Sequence, residues 1–170
     1  MKLTTLILIC LLGLAATPGS AQTNAPVPRE EVLAVVVHKS NPIENLSLED
    51  LRRLCLAEQK HWDNGRKITV ALREPGQPEH EAVLRVVFRM KENEFNRYFL
   101  QSAFVGEVGT APKQLATANG VRRFVFNVPG AIGFVRGSDL DDSVKLVRVG
   151  GLVPGEAGYP LTLPTTEPKP

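Results

Sequence analysis

Cysteine is scarce in this 170-residue sequence, which has only Cys10 and Cys55. Two sulfurs so placed exclude a disulfide framework and every cysteine-based zinc spacing, so stability has to come from a packed core. An excess of one charge is missing as well: 20 lysines and arginines face 18 aspartates and glutamates, for a formal net charge of +2. That balance argues against nucleic acid or an anionic membrane surface as a partner. Aromatic residues make up only 6% of the chain, which leaves aliphatic side chains to build most of the core. His38, His61 and His80 are scattered, and His80-Glu81 lacks the second histidine of a zinc-protease helix. There is no glycine loop to cradle phosphates, and the Glu49-Asp50 and Asp141-Asp142 pairs read as solvated. The sequence reads as non-enzymatic, with no cofactor and no metal site.

The longest apolar run, Leu6 to Leu14, is too short to span a bilayer stably. With Lys2 before it and Gly19 and Ala21 at the −3 and −1 positions ahead of Gln22, it reads as a secretory signal peptide over residues 1–21. Cys10 follows Ile9 rather than a small residue, so lipidation is set aside. A periplasmic or secreted location is expected. Cys55 then stands alone, either as a buried small hydrophobe or as a partner in an intermolecular disulfide. Residues 22–31 read as a flexible lead-in, 32–149 as one domain, and 150–170 as a Pro/Gly-rich tail with prolines at 154, 160, 164, 168 and 170.

Inside the domain the periodicity alternates between strand and helix. Val32 to Val37 is a β-branched strand closed by the turn residues around Asn41-Pro42. Ser47 is an N-cap with Asp50 three residues on, and Leu48, Leu51, Leu54 and Cys55 form one helical stripe. Trp62-Asp63-Asn64-Gly65 is a turn, and Ile68 to Leu72 is a second buried strand. Val83, Val86, Val87 and Met90 lie at helical spacing after Glu79 and Glu81, carboxylates suited to a first turn. A short helix is expected from Glu94 to about Ser102, burying Phe95, Tyr98 and Phe99, with a mobile loop from Phe104 to Pro112. A further helix places Val121, Phe124, Val125 and Val128 inward and Arg122 and Arg123 in solvent, and it ends at Asn127. Pro129 stops it, Gly130 is suited to the left-handed closing conformation, and Ala131 to Val135 is a strand apolar enough to be covered on both faces. Gly133 within it marks a close approach by another backbone or a ligand, most simply core packing. Val144 to Val149 is the last strand. The order β-α-β-α-α-α-β-β predicts an α/β fold, a mixed sheet flanked by helices.

The passage from the second strand into the following helix is the best candidate site. Ligands of open α/β sheets gather at the carboxyl ends of strands, and Arg73 sits at such an end with a fork of donors suited to phosphate or carboxylate. Gly76 would allow close backbone approach. Glu79 and Glu81 oppose an anion there unless another donor intervenes.

These pieces, in this order, resemble the phosphate-binding proteins of ABC importers. Val35-Val36-Val37, Asn41-Pro42 and Leu46-Ser47-Leu48-Glu49-Asp50-Leu51 are similar to the family's first strand, loop and helix. His61-Trp62-Asp63-Asn64-Gly65 resembles its tryptophan turn, Ile68 to Arg73 with Gly76 its arginine strand and loop, and Pro129-Gly130-Ala131-Ile132-Gly133-Phe134-Val135 its "pGAIGYV" segment. The resemblance spans Val32 to Arg136 and implies one lobe of a type 2 periplasmic binding protein, whose ligand cleft is normally shared by two lobes. The family's arginine and Ser-Gly-Thr align with Arg73 and with Gln77, Pro78 and Glu79, so two hydroxyl donors are replaced and one backbone N–H is lost. The resemblance therefore implies solute binding of an altered or weak kind, with a small anion as ligand and Arg73, Gly76, Gln77 and His80 as ligand-binding residues. The alternative is an accessory protein that kept the scaffold without the ligand. A lone lobe also exposes its former cleft face to self-association or a protein partner.

Overall fold

The computed structural model describes residues 32–105 and 110–163. The expected leader, the lead-in, residues 164–170 and the middle of the Phe104–Pro112 loop lie outside the described residues. The elements are β1 (Leu33–Val37), β2 (Asn45–Leu46), α1 (Leu48–Cys55), β3 (Thr69–Arg73), α2 (Pro78–Val83), α3 (Glu92–Val105), β4 (Lys113–Leu115), α4 (Ala118–Asn127), β5 (Ala131–Arg136) and β6 (Lys145–Val149). They include every expected element, plus the short strands β2 and β4, which carry too few residues to show a period.

The strands form one mixed sheet in the order β2-β6-β1-β5-β3-β4. β1 runs antiparallel to both β5 and β6, while the β2–β6, β3–β5 and β3–β4 pairs are parallel. β1 is thus the one reversed strand, set in the middle. Both faces of the sheet are covered, which is why β1 and β5 read as unbroken apolar runs. Leu33, Val35, Val37, Ile132 and Phe134 point into the larger core beneath α1, α2 and α3, and Ala34, Val36, Ala131 and Val135 point into a smaller one beneath α4. Small residues dominate the α4 side because the helix lies close. A Cβ on Gly133 would come within 2.8 Å of Val125 Cγ2 and 2.9 Å of Val121 Cγ1, so the close approach at that glycine is made by a helix.

Local signals explain the remaining joints. Ser47 caps α1, its Oγ accepting the Asp50 N–H at 3.0 Å and donating to Asp50 Oδ2 at 2.6 Å. Trp62 Nε1 donates to the Gly130 carbonyl at 3.0 Å, pinning its turn to the start of β5. Phe88, Phe95, Phe99 and Tyr98 pack edge-to-face, with neighbouring centroids 4.9–5.0 Å apart. Cys55 is wholly buried as a free thiol, pushed far above its ordinary pKa by burial. That is the setting of a small hydrophobe, closed to an intermolecular partner in the folded chain.

Four expectations are corrected. Gly130 does not take the left-handed conformation; it is needed because a Cβ there would strike the Lys67 carbonyl oxygen. The helix after Pro78 turns into a π-helical turn over Leu84–Phe88 and ends on Arg89 at φ +55°. The wider turn shifts the register, so Leu84 and Phe88 join Val83 and Val87 in the core while Val86 and Met90 are half-buried. Arg122 is not simply solvated: its Nη1 donates to the Asp139 carbonyl at 2.7 Å and lies 3.2 Å from Asp141 Oδ2. Finally, the segment from Gly150 is irregular but packed as far as Leu163. Leu161 is fully buried, its carbonyl accepting the Leu33 N–H at 2.8 Å, and Tyr159 Oη donates to the Leu33 carbonyl at 2.7 Å.

Candidate functional site

β3 and β5 lie side by side and parallel, with Ala71 opposite Gly133. At their carboxyl ends they finish on Arg73 and Arg136. Each strand is buried up to its arginine, so two guanidinium groups are the first charges encountered on leaving the core at that edge. The chain turns after Arg73 through Gly76, whose φ of +80° favours glycine, and no atom lies within 4 Å of where its Cβ would be. Gly76 therefore serves the turn, and the open space around it borders a cavity of about 450 Å³ lined also by Leu84, Met90 and Glu92. Pro78 sits in the first turn of α2, where its missing N–H disturbs no helical bond. The helix then carries Glu79 and His80 inward.

Glu79 is 5% exposed. Its Oε1 accepts from Arg136 Nε at 2.6 Å, while Oε2 has no partner. Burial opposes ionisation of this carboxyl. The Arg136 hydrogen bond, the residue's own N–H and the charges of Arg136 and Arg73 outweigh it and hold the group below the ordinary carboxylate range. Arg73 donates from Nη2 to Gln77 Oε1 at 2.9 Å, leaving Nε and Nη1 buried without a partner. His80 is buried, with Nδ1 2.8 Å from the Arg73 carbonyl and Nε2 2.8 Å from Glu92 Oε2. A carbonyl can only accept, so Nδ1 donates to it, and Nε2 is engaged with the Glu92 carboxylate. Neither ring nitrogen is left for a ligand.

Arg73, Gln77 and His80 are thus brought together, with Gly76 on the turn between them. Arg136 and Glu79 belong to the same cluster and were not among the expected site residues. Their signal was faint: Arg136 ends a buried strand as Arg73 does, but only the parallel pairing of β3 and β5 sets the two at one edge. Among the described residues no group of three or more His, Cys, Asp or Glu side chains could hold a metal ion. A larger cavity, about 480 Å³, lies at the opposite end of β3 beside Lys60, His61, Lys67 and Ile68. Its polar rim is exposed, and Lys67 Nζ already donates to Thr110 Oγ1. Among the described residues the buried polar atoms in need of a partner lie instead at Arg73 and Glu79, apart from Asn41 Nδ2 elsewhere. That is the physical reason to place the site there.

The mixed sheet with helices on both faces is similar in fold to about half of solved periplasmic binding proteins. Solved structures it is similar to include phosphate-transport binding proteins. One, a Clostridium perfringens protein so assigned and solved with bound phosphate, superposes with a TM-score of 0.59 at 24% identity, over 75% of this chain and 47% of that one. An ABC-type phosphate transport receptor from Vibrio cholerae gives 0.56 at 20% identity, over 82% and 55%. PstS from Borrelia burgdorferi gives 0.60 at 13% identity, over 78% and 55%. The chain spans about half the length of these proteins, and at such identities the likeness is one of fold. No protein-family model and no curated protein sequence matches the chain.

Proposed function

We propose that this chain is an exported, non-enzymatic solute-binding domain built on one lobe of the phosphate-binding scaffold, with altered and weak binding of a small anion beside Arg73. The observation that carries the reading is the pair of buried, unpartnered N–H donors on Arg73, at a strand end of a fold whose solved relatives include one with bound phosphate. Buried donors are normally satisfied, and a ligand oxygen is one way to satisfy them. Gln77 positions the guanidinium, His80 fixes the Arg73 carbonyl, and Gly76 makes the turn. In the proteins it resembles a second half is present. Here a second copy of the chain, or a protein partner, would cover the open side of the site. The domain would extend from residue 32 to the end of the packed segment, behind a leader removed on export. No helix among the described residues is long and apolar enough to cross a membrane.

A second reading is favoured by Glu79 and Gln77, which already engage the site's arginines. On this reading the chain is an accessory protein that keeps the scaffold and has given up the ligand. A thermal-shift series with phosphate, sulfate and small carboxylates separates the two. A binder gains about 2.7 kcal/mol of stability at roughly 100 times its dissociation constant, and Arg73→Ala removes the gain. An unchanged midpoint with every anion supports the accessory protein.

A further inference from the structure

We infer that Glu79 is the resident anion of the site, its carboxylate held by Arg136 at the strand edge that Arg73 shares, a place that an external oxyanion can take only by displacing it. The inference rests on the reading of Arg73 as a ligand-binding side chain. A site for an oxyanion needs convergent cationic donors shielded from water. The edge formed by β3 and β5 supplies two guanidinium groups, and the group held there belongs to the chain itself. Glu79 is almost wholly buried, and the 2.6 Å contact with Arg136 Nε is a short, charge-assisted hydrogen bond. The charge of Arg73 acts on the same carboxylate.

The fit is incomplete. Glu79 satisfies Arg136 through one oxygen, its other oxygen has no partner, and Arg73, bonded to Gln77 through Nη2, keeps two buried donor nitrogens unused. A carboxylate tethered to α2 reaches one arginine and not the fork of the other. A free oxyanion taken up by the Arg73 fork would, with Glu79 ionised, sit near a like charge, which is strongly unfavourable in a buried site. The other carboxylates nearby do not change this balance. Glu92 is bonded to His80, and Glu74 and Glu81 are exposed.

The test is calorimetric titration of wild type, Glu79→Gln, Arg73→Ala and the double variant Glu79→Gln/Arg73→Ala with inorganic phosphate and sulfate. Glutamine keeps an acceptor for Arg136 Nε and drops the charge. The expected result is anion binding at least about tenfold tighter in Glu79→Gln than in wild type, with the gain lost in the double variant. Should Glu79→Gln fail to fold by circular dichroism, Glu79→Asp withdraws the charge by one methylene and should raise affinity in the same direction. A folded Glu79→Gln protein that binds no tighter than wild type overturns the inference. If wild type binds an anion and Arg73→Ala abolishes that binding while Glu79→Gln leaves it unchanged, solute binding stands and the resident-anion role falls. If the gain survives Arg73→Ala, the anion sits elsewhere and both assignments fall.

Discussion

Arg136 Nε donates to Glu79 Oε1 at 2.6 Å across 57 residues of sequence, joining the end of β5 to the first turn of α2. The bond ties the loop after β3 down over the sheet edge, and it leaves Glu79 with one satisfied and one unsatisfied oxygen.

Removing Arg136 strands a buried carboxylate. Arg136→Ala should therefore lower the unfolding free energy by about 2–3 kcal/mol, toward the low end for buried pairs because the arginine is about a third exposed. The same pair sets an acid limb. Glu79 titrates lower folded than unfolded, so its contribution is complete above the ordinary value of 4.5 and is lost as pH falls through the lower folded value. Urea melts from pH 6 to about 3 should show a shallower acid loss in Glu79→Gln. Part of the slope should remain, because Asp141 is also held low by Ser143. Equal slopes in the two proteins would show that Glu79 is not the group titrating.

Gly133 has room for no side chain. Gly133→Ala should cost about 1–3 kcal/mol, the usual range for overpacking, because its Cβ would press on the Val121 and Val125 methyls. Val125→Ala opens space at the same point, so the double variant should lose clearly less than the sum of the single losses. Additive losses in chemical denaturation would mean that α4 does not press on Gly133.

Tyr159 is a buried phenol that donates to the Leu33 carbonyl. Tyr159→Phe should cost about 1 kcal/mol near neutrality. Burial pushes the Tyr159 hydroxyl far above its ordinary value of 10.0, so its contribution is complete below that value and is lost as pH rises beyond it. The fall in stability above pH 10 should be shallower in Tyr159→Phe, with Tyr98, also raised by burial, accounting for part of what remains. A variant as stable as wild type across this range would put residues 150–163 outside the cooperative unit.

The elements that could be read from the chain are those whose signals are local. The Ser47 cap and the Leu51, Leu54 and Cys55 stripe need only one turn of helix to be visible, and α1 forms where they place it. The apolar runs of β1 and β5 announce strands covered on both faces for the same reason. What local pattern could not supply was the π turn at Leu84–Phe88, because 3.6-residue spacing presumes a regular helix and one wide turn rotates the buried face. Nor could composition show that Tyr159 and Leu161 return to the core, since a proline-rich tail and a packed irregular segment look alike until their contacts are known.

Arg73 was visible because it closes an apolar strand beside a turn. The partner of Glu79 was not, because the Arg136 pairing joins a helix residue to a strand end 57 residues away. The sequence by itself determined the balance of strands and helices, the caps and stops, and the reliance on an aliphatic core without disulfides, all consequences of side-chain period and backbone chemistry over a few residues. Only the tertiary structure decided that β1 runs against its neighbours, that Gly130 answers to packing, that α4 is what presses on Gly133, and that Glu79 lies buried against Arg136. These are distances between segments remote in sequence, set by how the whole sheet closes over its two cores.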